Sequence, residues 1–268
     1  MPDWRIGTMG FSYADWAGVF YPKGTRPGDY LAYYAKHFNA VELDTTFHAV
    51  PPVDRVKTWA AVTPDDFRFC PKTPKTITHD PEVTLDRAVG AMHEFLDVMG
   101  GLGPKLGVVL IQFPPGFTVR ETASLRRFMR AMPDHIRFAI EFRSETWFVE
   151  STVELLRSLK CCWAAADYAH EPRQLHVTSD FLYIRWIGQH QHFPSMGAER
   201  VDPTERLMTW KRHIDPHLDQ LCSVWGFFNN DYAGHAVATA RRFKRIVGLP
   251  VEEHERARQG QLFDDVNG

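Results

Sequence analysis

Short apolar runs recur along the chain, and each ends at its carboxyl side in polar or charged residues. Strands buried on both faces form such continuous runs, because helices cover the outside of the sheet and side chains fill the inside. Eight runs fit this pattern: Trp4–Thr8, Ala40–Asp44, Phe67–Lys72, Leu106–Gln112, Phe138–Arg143, Cys161–Asp167, Phe181–Arg185 and Val224–Asn230. The pattern predicts eight buried, parallel strands.

The segments between these runs are typical of helices, which we expect at Asp29–His37, Val53–Val62, Leu85–Met99, Arg120–Met132, Thr152–Leu159, Thr204–Leu221 and Ala236–Val247. Between Asp167 and Phe181 there is no amphipathic period. Alternating strands and helices predict an α/β fold, a (β/α)8 TIM barrel with an irregular or missing sixth helix. We expect one barrel domain over residues 1–250 and a polar tail over 251–268. In this fold the active site lies at the carboxyl ends of the strands.

Length and composition limit the classes of function that the chain can have. The 268 residues fit one barrel, which needs about 250 residues. A net charge of −2 argues against a broad DNA-binding surface, so an anion would need a local basic cluster. The four cysteines form no disulfide framework, which predicts a reduced, cytoplasmic protein. We find no signal sequence and no apolar stretch of roughly 20 residues, so no membrane partner is expected.

Several segments also carry a resemblance to a known family: Gly7–Tyr13, Phe20–Pro22, Val41–His48, Gln112–Pro115, Ala139–Arg143 and Phe228–Asp231. In this order they resemble the YecE-like family, a bacterial and archaeal domain of unknown function. The resemblance covers about the first 248 residues and implies a TIM barrel. Members have been likened to endonuclease IV and other barrel hydrolases. That is an analogy of fold, which implies no particular reaction.

The candidate acid–base pair is Glu42 and Glu141. Side chains alternate along a strand, so Glu42 shares a face with Asp44, and Glu141 shares one with Arg143. If that face is the barrel interior, three carboxylates meet at one mouth. A pair of carboxylates would suit hydrolysis or lyase chemistry, glycoside cleavage included. The alternative is a structural layer of salt bridges, because buried charges require partners. Asp44 is also placed to cap the turn that follows it.

Two further catalytic candidates are His79 and Asp167. The imidazole of His79 follows the third strand and titrates near neutrality, although a hydrogen-bonded spacer is an equal interpretation. Asp167 ends the sixth strand.

Three cations, Lys72, Arg143 and Arg185, end the third, fifth and seventh strands and predict an anion-binding mouth. In the alternative, each one pairs with a carboxylate and leaves no charge for a ligand. Further candidate substrate-binding residues are Gln112, Asn229 and Asn230, since barrels often bind phosphate near their last strands. At the helix that follows, Asp231 is expected to act as a cap.

Aromatic rings beside cations would suit a nucleobase or a sugar ring. The candidates are Tyr13, Trp16 and Trp147, together with Phe11, Phe47, Tyr168 and Trp186. Most aromatic residues of a barrel pack between helices and strands, so we expect only some of these to touch a ligand.

We predict no cofactor and no metal. The chain has no GxGxxG or Walker loop, and its paired histidines beyond a strand end are limited to His190 and His192. Glu42, Glu141, Asp167, His48 and His79 are nevertheless residue types that bind Zn²⁺ or Mn²⁺, so a divalent metal is the alternative.

Together these features predict an enzyme that acts on a phosphorylated sugar, nucleotide or nucleic-acid end at the barrel mouth, through hydrolase- or lyase-type acid–base chemistry. The alternative is a non-catalytic binder of nucleic acid or another anionic ligand. A barrel with self-satisfied charges and a role in assembly is a third interpretation. The sequence leaves the oligomeric state open.

Overall fold

A computed structural model describes residues 1–80, 82, 84–168, 171–172 and 175–252 of the chain. The strands in this part are β1 (Asp3–Thr8), β2 (Ala40–Leu43), β3 (Arg68–Pro71), β4 (Val108–Gln112), β5 (Arg137–Glu141), β6 (Cys162–Trp163), β7 (Ala165–Tyr168), β8 (Glu171–Pro172), β9 (Phe181–Gly188) and β10 (Ser223–Phe228). All eight predicted runs contain a strand, so the apolar runs located the sheets correctly.

Helices alternate with these strands along the described chain. They are α1 (Tyr30–Tyr34), α2 (Thr45–His48), α3 (Val53–Ala61), α4 (Lys75–Thr78), α5 (Leu85–Met99), α6 (Thr122–Arg130), α7 (Glu150–Ser158), α8 (Thr204–Ile214) and α9 (Ala236–Ile246). The helix predicted over Thr204–Leu221 was too long. It ends at Ile214 because Pro216 has no backbone N–H for a helical hydrogen bond, and a 3-10 turn follows.

The strands pair in three groups that are parallel throughout, except at the edge strand β8. One sheet has the order β1-β10-β9-β7-β8, a second joins β2 to β3, and a third has the order β4-β5-β6. Isolated parallel bridges continue this pairing: Met9 pairs with Glu42, next to β1 and β2, and both Phe69 and Lys72 bridge to the segment of β4. The chain therefore has an α/β fold with parallel sheets.

A tyrosine hydroxyl separates β1 from β2 and explains why only one bridge joins them. Tyr34 Oη accepts the Thr8 N–H at 2.9 Å and donates to the Ala40 carbonyl at 3.1 Å. The hydroxyl thus replaces direct strand-to-strand hydrogen bonds. Only glycine fits at position 7, because a Cβ there would lie 2.0 Å from the Ala40 oxygen.

Alternate residues of the strands form two separate apolar clusters. The inner cluster draws on all three sheets and contains Met9, Ala40, Cys70, Val108, Leu110, Ala139, Cys162, Ala164, Phe181, Tyr183, Trp225 and Phe227. The residues between them belong to a larger outer cluster beneath the helices; in β4, for example, Val109 and Ile111 are outer. This period of two places one side of every sheet inward and the other against helices.

The predicted sixth strand is interrupted. Ala164 divides it into β6, which pairs with β5, and β7, which pairs with β9. Thr178 causes the break, because its hydroxyl accepts the Trp163 N–H at 2.8 Å and donates to the Cys161 carbonyl at 2.7 Å. Within the described residues between Tyr168 and Phe181 there is the short strand β8 and no helix. Except for Val251 and Glu252, the predicted tail lies outside the described residues.

Candidate functional site

Glu42, Glu141 and Arg185 form one buried ion-pair cluster, which we name the polar layer. Arg185 Nη2 lies 2.7 Å from Glu42 Oε1, and Arg185 Nη1 lies 2.6 Å from Glu141 Oε2. The Arg185 Nε–H also donates to Glu42, at 3.0 Å to Oε2. The three side chains are at most 4% exposed. They come from β2, β5 and β9, so alternation along the strands brings them together as predicted.

Tyrosines and a second arginine complete the hydrogen bonding of both carboxylates. Tyr183 Oη donates to Glu42 and Tyr168 Oη donates to Glu141, each at 2.7 Å. Arg143 Nε lies 2.6 Å from Glu141 Oε1, and its guanidinium stacks 4.1 Å above the ring of Tyr168. Protein donors thus surround the two carboxylates. This matches the salt-bridge layer that the sequence left open as the alternative to acid–base catalysis.

Glu42 and Glu141 share the Arg185 guanidinium, but their pKa values shift in opposite directions. Burial raises the pKa of Glu42 to about 7, against the attraction of Arg185 and with the help of the negative Asp44. Burial would also raise the pKa of Glu141, but Arg185, Arg143 and Lys72 outweigh it and lower that pKa. Near neutral pH, Glu141 is therefore the ionised partner and Glu42 is partly protonated.

This asymmetry predicts how Glu42→Gln changes stability with pH. The folded-state pKa of about 7 lies above the value of 4.5 for a free carboxyl, so the folded protein binds the extra proton between these values. The resulting stabilisation is complete below pH 4.5 and is lost as the pH rises through 7. We expect the wild type to lose more stability than Glu42→Gln between pH 5 and 8, measured as the free energy of unfolding in urea. Parallel pH profiles would contradict the raised pKa. Titrating groups that do not interact with Glu42 cancel in the comparison.

Lys72 and His79 lie on the same aromatic ring beside the polar layer. Lys72 Nζ is 4.0 Å from the centroid of Phe47, and the His79 ring packs edge-on against Phe47 with centroids 5.0 Å apart. Burial and the charge of Arg185 lower the pKa of Lys72, while burial, Lys72 and Arg143 lower the pKa of His79. Thr78 Oγ1 holds His79 Nδ1 at 2.7 Å. The lowered pKa favours the uncharged form of this histidine at neutral pH.

Gln112 and Asp44 flank the polar layer with unsatisfied oxygens. Gln112 is the register partner of Glu141 across β4 and β5, and its buried Oε1 makes no hydrogen bond within the described chain. Asp44 Oδ1 likewise lacks a hydrogen bond there and lies 3.5 Å from Arg185 Nη2. Asp44 precedes α2, but its side chain does not cap that helix. Both oxygens are enclosed by the protein, but the Asp44 side chain as a whole is 32% exposed and is therefore partly accessible to a ligand.

A cavity of about 460 Å³ opens beside Asp44; we name it the aromatic cavity. Its lining residues are Gly10, Phe11, Ser12, Tyr13, Leu43, Asp44, Thr45, Ala49, Val50, Pro51, Pro52, Arg55 and Trp59. Its volume is in the usual range for small-molecule sites, and its walls combine apolar rings with a few polar groups. The exposed Arg55 adds a positive charge, and no carboxylate of the described chain lies within 4.0 Å of its guanidinium.

Asp167 does not join this group. It pairs in register with Trp186, one residue past Arg185, and so projects from the opposite side of the sheet. There it forms an ion pair with Arg206 on α8 and accepts hydrogen bonds from Trp210 Nε1 at 2.7 Å and Tyr232 Oη at 2.9 Å. The structure thus assigns Asp167 to packing between sheet and helix, which corrects its placement at the mouth.

Two aromatic candidates are likewise buried in the outer core. Trp16 is 0% exposed and donates from Nε1 to Asn230 Oδ1 at 3.1 Å. Trp147 is 0% exposed, donates to the Phe117 carbonyl at 2.8 Å and stacks on Phe142. Neither ring has a surface left for a ligand. Tyr13 differs, because it lines the aromatic cavity while its hydroxyl donates to the Met9 carbonyl at 2.5 Å.

The residues after β10 do not have the roles that the sequence predicted. Asn229 Oδ1 accepts the Asp231 N–H at 3.0 Å and caps a 3-10 turn over Asn230–Tyr232. Asn230 Oδ1 accepts the Ala236 N–H at 3.0 Å at the start of α9. Asp231, expected to be the cap, instead lies 3.3 Å from His190 Nδ1. The two asparagines are therefore structural caps.

The sequence analysis missed Arg55 and Trp59 as site residues. They are four residues apart on α3 and so lie on the same face of that helix, directed at the aromatic cavity. The sequence shows that the two residues share a face of the helix. It does not show that this face packs near the end of β2.

Within the described residues, no three His, Cys, Asp or Glu side chains are grouped so that they could hold a metal ion. In the same part of the chain, no helix has both the length and the apolar composition needed to span a bilayer.

Parallel sheets, covering helices and a charged cluster at the carboxyl ends of the strands define an α/β protein. The chain belongs to the family described as "Protein of unknown function DUF72", whose model matches residues 5–262. This confirms the YecE-like resemblance. UPF0759 protein YecE of Escherichia coli is 37% identical over 135 residues, which cover 50% of this chain and 49% of YecE. UPF0759 protein YunF of Bacillus subtilis is 26% identical, with 91% of this chain and 94% of YunF covered.

Solved structures support the same assignment. A DUF72 family protein from Thermotoga maritima MSB8 matches with a TM-score of 0.77 and 26% identity, and the match covers 91% of this chain and 99% of that one. A DUF72 family protein from Enterococcus faecalis V583 matches with a TM-score of 0.74 at 21% identity, over 93% of this chain and 99% of that one. The second likeness is one of fold alone.

Proposed function

We propose that the three sheets are arcs of one (β/α)8 TIM barrel over residues 1–250, and that its mouth binds a small anionic, ring-bearing substrate. The parallel bridges between sheets and the inner cluster drawn from all of them support the barrel. The aromatic cavity carries the functional proposal, because it places ring-binding walls beside the polar layer. Four unpaired cysteines, three of them buried, are in keeping with a cytoplasmic location.

The charges around the cavity favour a ligand with an anionic group and hydrogen-bond donors. Arg55 suits phosphate or carboxylate through its planar guanidinium. The exposed part of the Asp44 carboxylate would accept an N–H or O–H from the ring or sugar. The rings of Phe11, Tyr13 and Trp59 would stack on a planar group. Nucleoside phosphates and phosphorylated sugars combine these properties.

Within this proposal the polar layer positions the site, while Lys72, His79 and Arg143 act on the substrate. Glu42 and Glu141 are enclosed by Arg185 and two tyrosines, so their role is to orient Arg185 and Arg143. Lys72 and Arg143 supply positive charge, and the neutral His79 supplies acid–base chemistry. Hydrolase- or lyase-type turnover of the bound anion is the corresponding reaction class.

Calorimetric titration with adenosine 5′-monophosphate, ribose 5-phosphate, adenosine and inorganic phosphate tests the cavity. We expect the two molecules that contain both ring and phosphate to bind more tightly than adenosine or phosphate. Trp59→Ala and Arg55→Met should each weaken that binding at least about tenfold, equivalent to 1.4 kcal/mol. Arg130→Met is the matched control, since this exposed arginine ends α6, away from the cavity. Equal affinity for all four probes, unchanged by either cavity variant, would contradict the proposal.

The alternative is a non-catalytic binder of nucleic acid. A single-stranded oligonucleotide that contacts several phosphates would lose affinity steeply with salt, whereas a small phosphorylated ligand would respond weakly. Turnover of the bound probe, followed by phosphorus NMR, separates an enzyme from a binder.

A further inference from the structure

Lys72 is a nearly buried lysine whose amine lacks the usual partners. Its side chain follows β3, and its backbone N–H is fixed by Thr46 Oγ1 at 3.0 Å. The residue is 9% exposed, and Nζ faces the Phe47 ring at 4.0 Å. Among the described residues, no carboxylate oxygen lies within 4.0 Å of Nζ. Buried lysines are almost always paired, so this one is unusual.

Lys105 provides the contrast within the same chain. It is equally buried, at 8% exposure, but its Nζ donates to the carbonyls of Ala60 at 2.7 Å and Thr63 at 2.6 Å. Those contacts, together with Asp65 Oδ1 at 3.9 Å, give Lys105 a structural role. The Lys72 amine instead lies near the Arg185 guanidinium, which opposes its positive charge, and farther than 4.0 Å from Asp44, Glu141 and Glu42, which favour that charge. Desolvation and neighbouring cations are the two conditions that turn a lysine into a nucleophile.

We propose that Lys72 forms an imine with an aldehyde or ketone carbonyl of an anionic substrate at this face. The inference deepens the proposed function and rests on it for the location of the site. In the reaction, the deprotonated fraction of Nζ attacks the carbonyl carbon with its lone pair. One proton moves from nitrogen to the alkoxide oxygen and gives a carbinolamine; a second proton, taken up from solvent, then lets water leave as the nitrogen lone pair forms the protonated C=N bond. His79, packed on the same Phe47 ring, is placed to carry that proton. A protonated imine accepts the electron pair of an adjacent bond as it breaks, which is lyase chemistry.

Reductive trapping on the whole chain tests this directly. The probe is pyridoxal 5′-phosphate, an anionic ring-bearing aldehyde, added below stoichiometric amounts with cyanoborohydride. The hydride reduces the imine carbon and leaves a stable secondary amine, which peptide mass mapping locates. We expect Lys72 to be labelled at least about tenfold faster than the exposed Lys75, because its lower pKa leaves more amine uncharged. Adenosine 5′-monophosphate should slow the labelling.

Variants of the two neighbouring lysines give the controls. Lys72→Met removes the amine from this nearly buried position without adding charge; it should abolish labelling of the peptide that contains position 72 and retain cooperative thermal unfolding. Lys75→Arg should leave the labelling of Lys72 intact. Labelling spread evenly over Lys72, Lys75 and the other exposed lysines would overturn the inference. Tight binding of adenosine 5′-monophosphate without preferential labelling would overturn it while leaving the proposed function in place. Labelling of Lys72 by uncharged benzaldehyde, without binding of any phosphate compound, would support a reactive Lys72 and contradict the proposed anionic substrate.

Discussion

Arg185→Met should destabilise the protein by about 3–5 kcal/mol, because it leaves two carboxylates in the interior without their shared cation. Glu42 and Glu141 are at most 1% exposed and cannot reach water in place of the guanidinium. Urea denaturation at pH 8 measures the loss. We expect it to shrink at pH 5, where protonation of the stranded carboxylates costs less.

The matched control is Arg143→Met. This arginine contacts Glu141 alone of the two carboxylates, and its side chain is 27% exposed, so we expect a smaller loss. The double variant Arg185→Met with Glu42→Gln should recover part of the stability, since one of the two uncompensated charges is removed. If Arg185→Met remained within about 1 kcal/mol of the wild type, the polar layer would not be a stabilising unit.

Asp167→Ala should cost about 2–4 kcal/mol, because it removes the common acceptor of three donors beneath α8. Arg206, Trp210 and Tyr232 all direct polar hydrogens at this fully buried carboxylate. Asp167→Asn keeps an oxygen for some of them and should cost less. Urea denaturation of the three proteins gives the comparison.

An exposed ion pair provides the reference for that experiment. Asp86 meets Arg127 in a two-point contact at 2.9 and 2.7 Å, but both side chains are about half exposed. Asp86→Ala should therefore change stability little. Equal effects of Asp86→Ala and Asp167→Ala would contradict the structural role of Asp167. Loss of adenosine 5′-monophosphate binding in a stably folded Asp167→Asn would return this residue to the site.

The strands, and the proximity of Glu42, Glu141 and Arg185, could be predicted from the sequence because side-chain alternation and strand ends are local properties. The side of the sheet on which Asp167 lies could not be predicted in this way. Both faces of the run Cys161–Asp167 are apolar, so nothing in the run indicates which face is inner. Trp16 and Trp147 were misplaced for a related reason: a tryptophan near a strand end packs equally well in the core or on a rim, and only tertiary contacts decide.

Arg55 and Trp59 show a different limit. Their spacing places them on one side of α3, but the cavity they line is completed by residues from the segments after β1 and β2. Such a site depends on where a helix docks, and docking follows from packing across the whole molecule. Lys72 was identified as a cation from its strand end. Its lack of a carboxylate partner became evident only when the neighbouring charges could be placed.

The inner apolar cluster has a consequence for molecular traffic. Side chains such as Leu110, Tyr183 and Phe227 are fully buried in this cluster, and the Tyr183 hydroxyl donates to Glu42 in the polar layer. In the proposed barrel these packed side chains would close the interior, so a molecule that reaches Lys72 would enter and leave by the same opening. Product release would then have to precede binding of the next substrate molecule, and release could limit the rate of turnover.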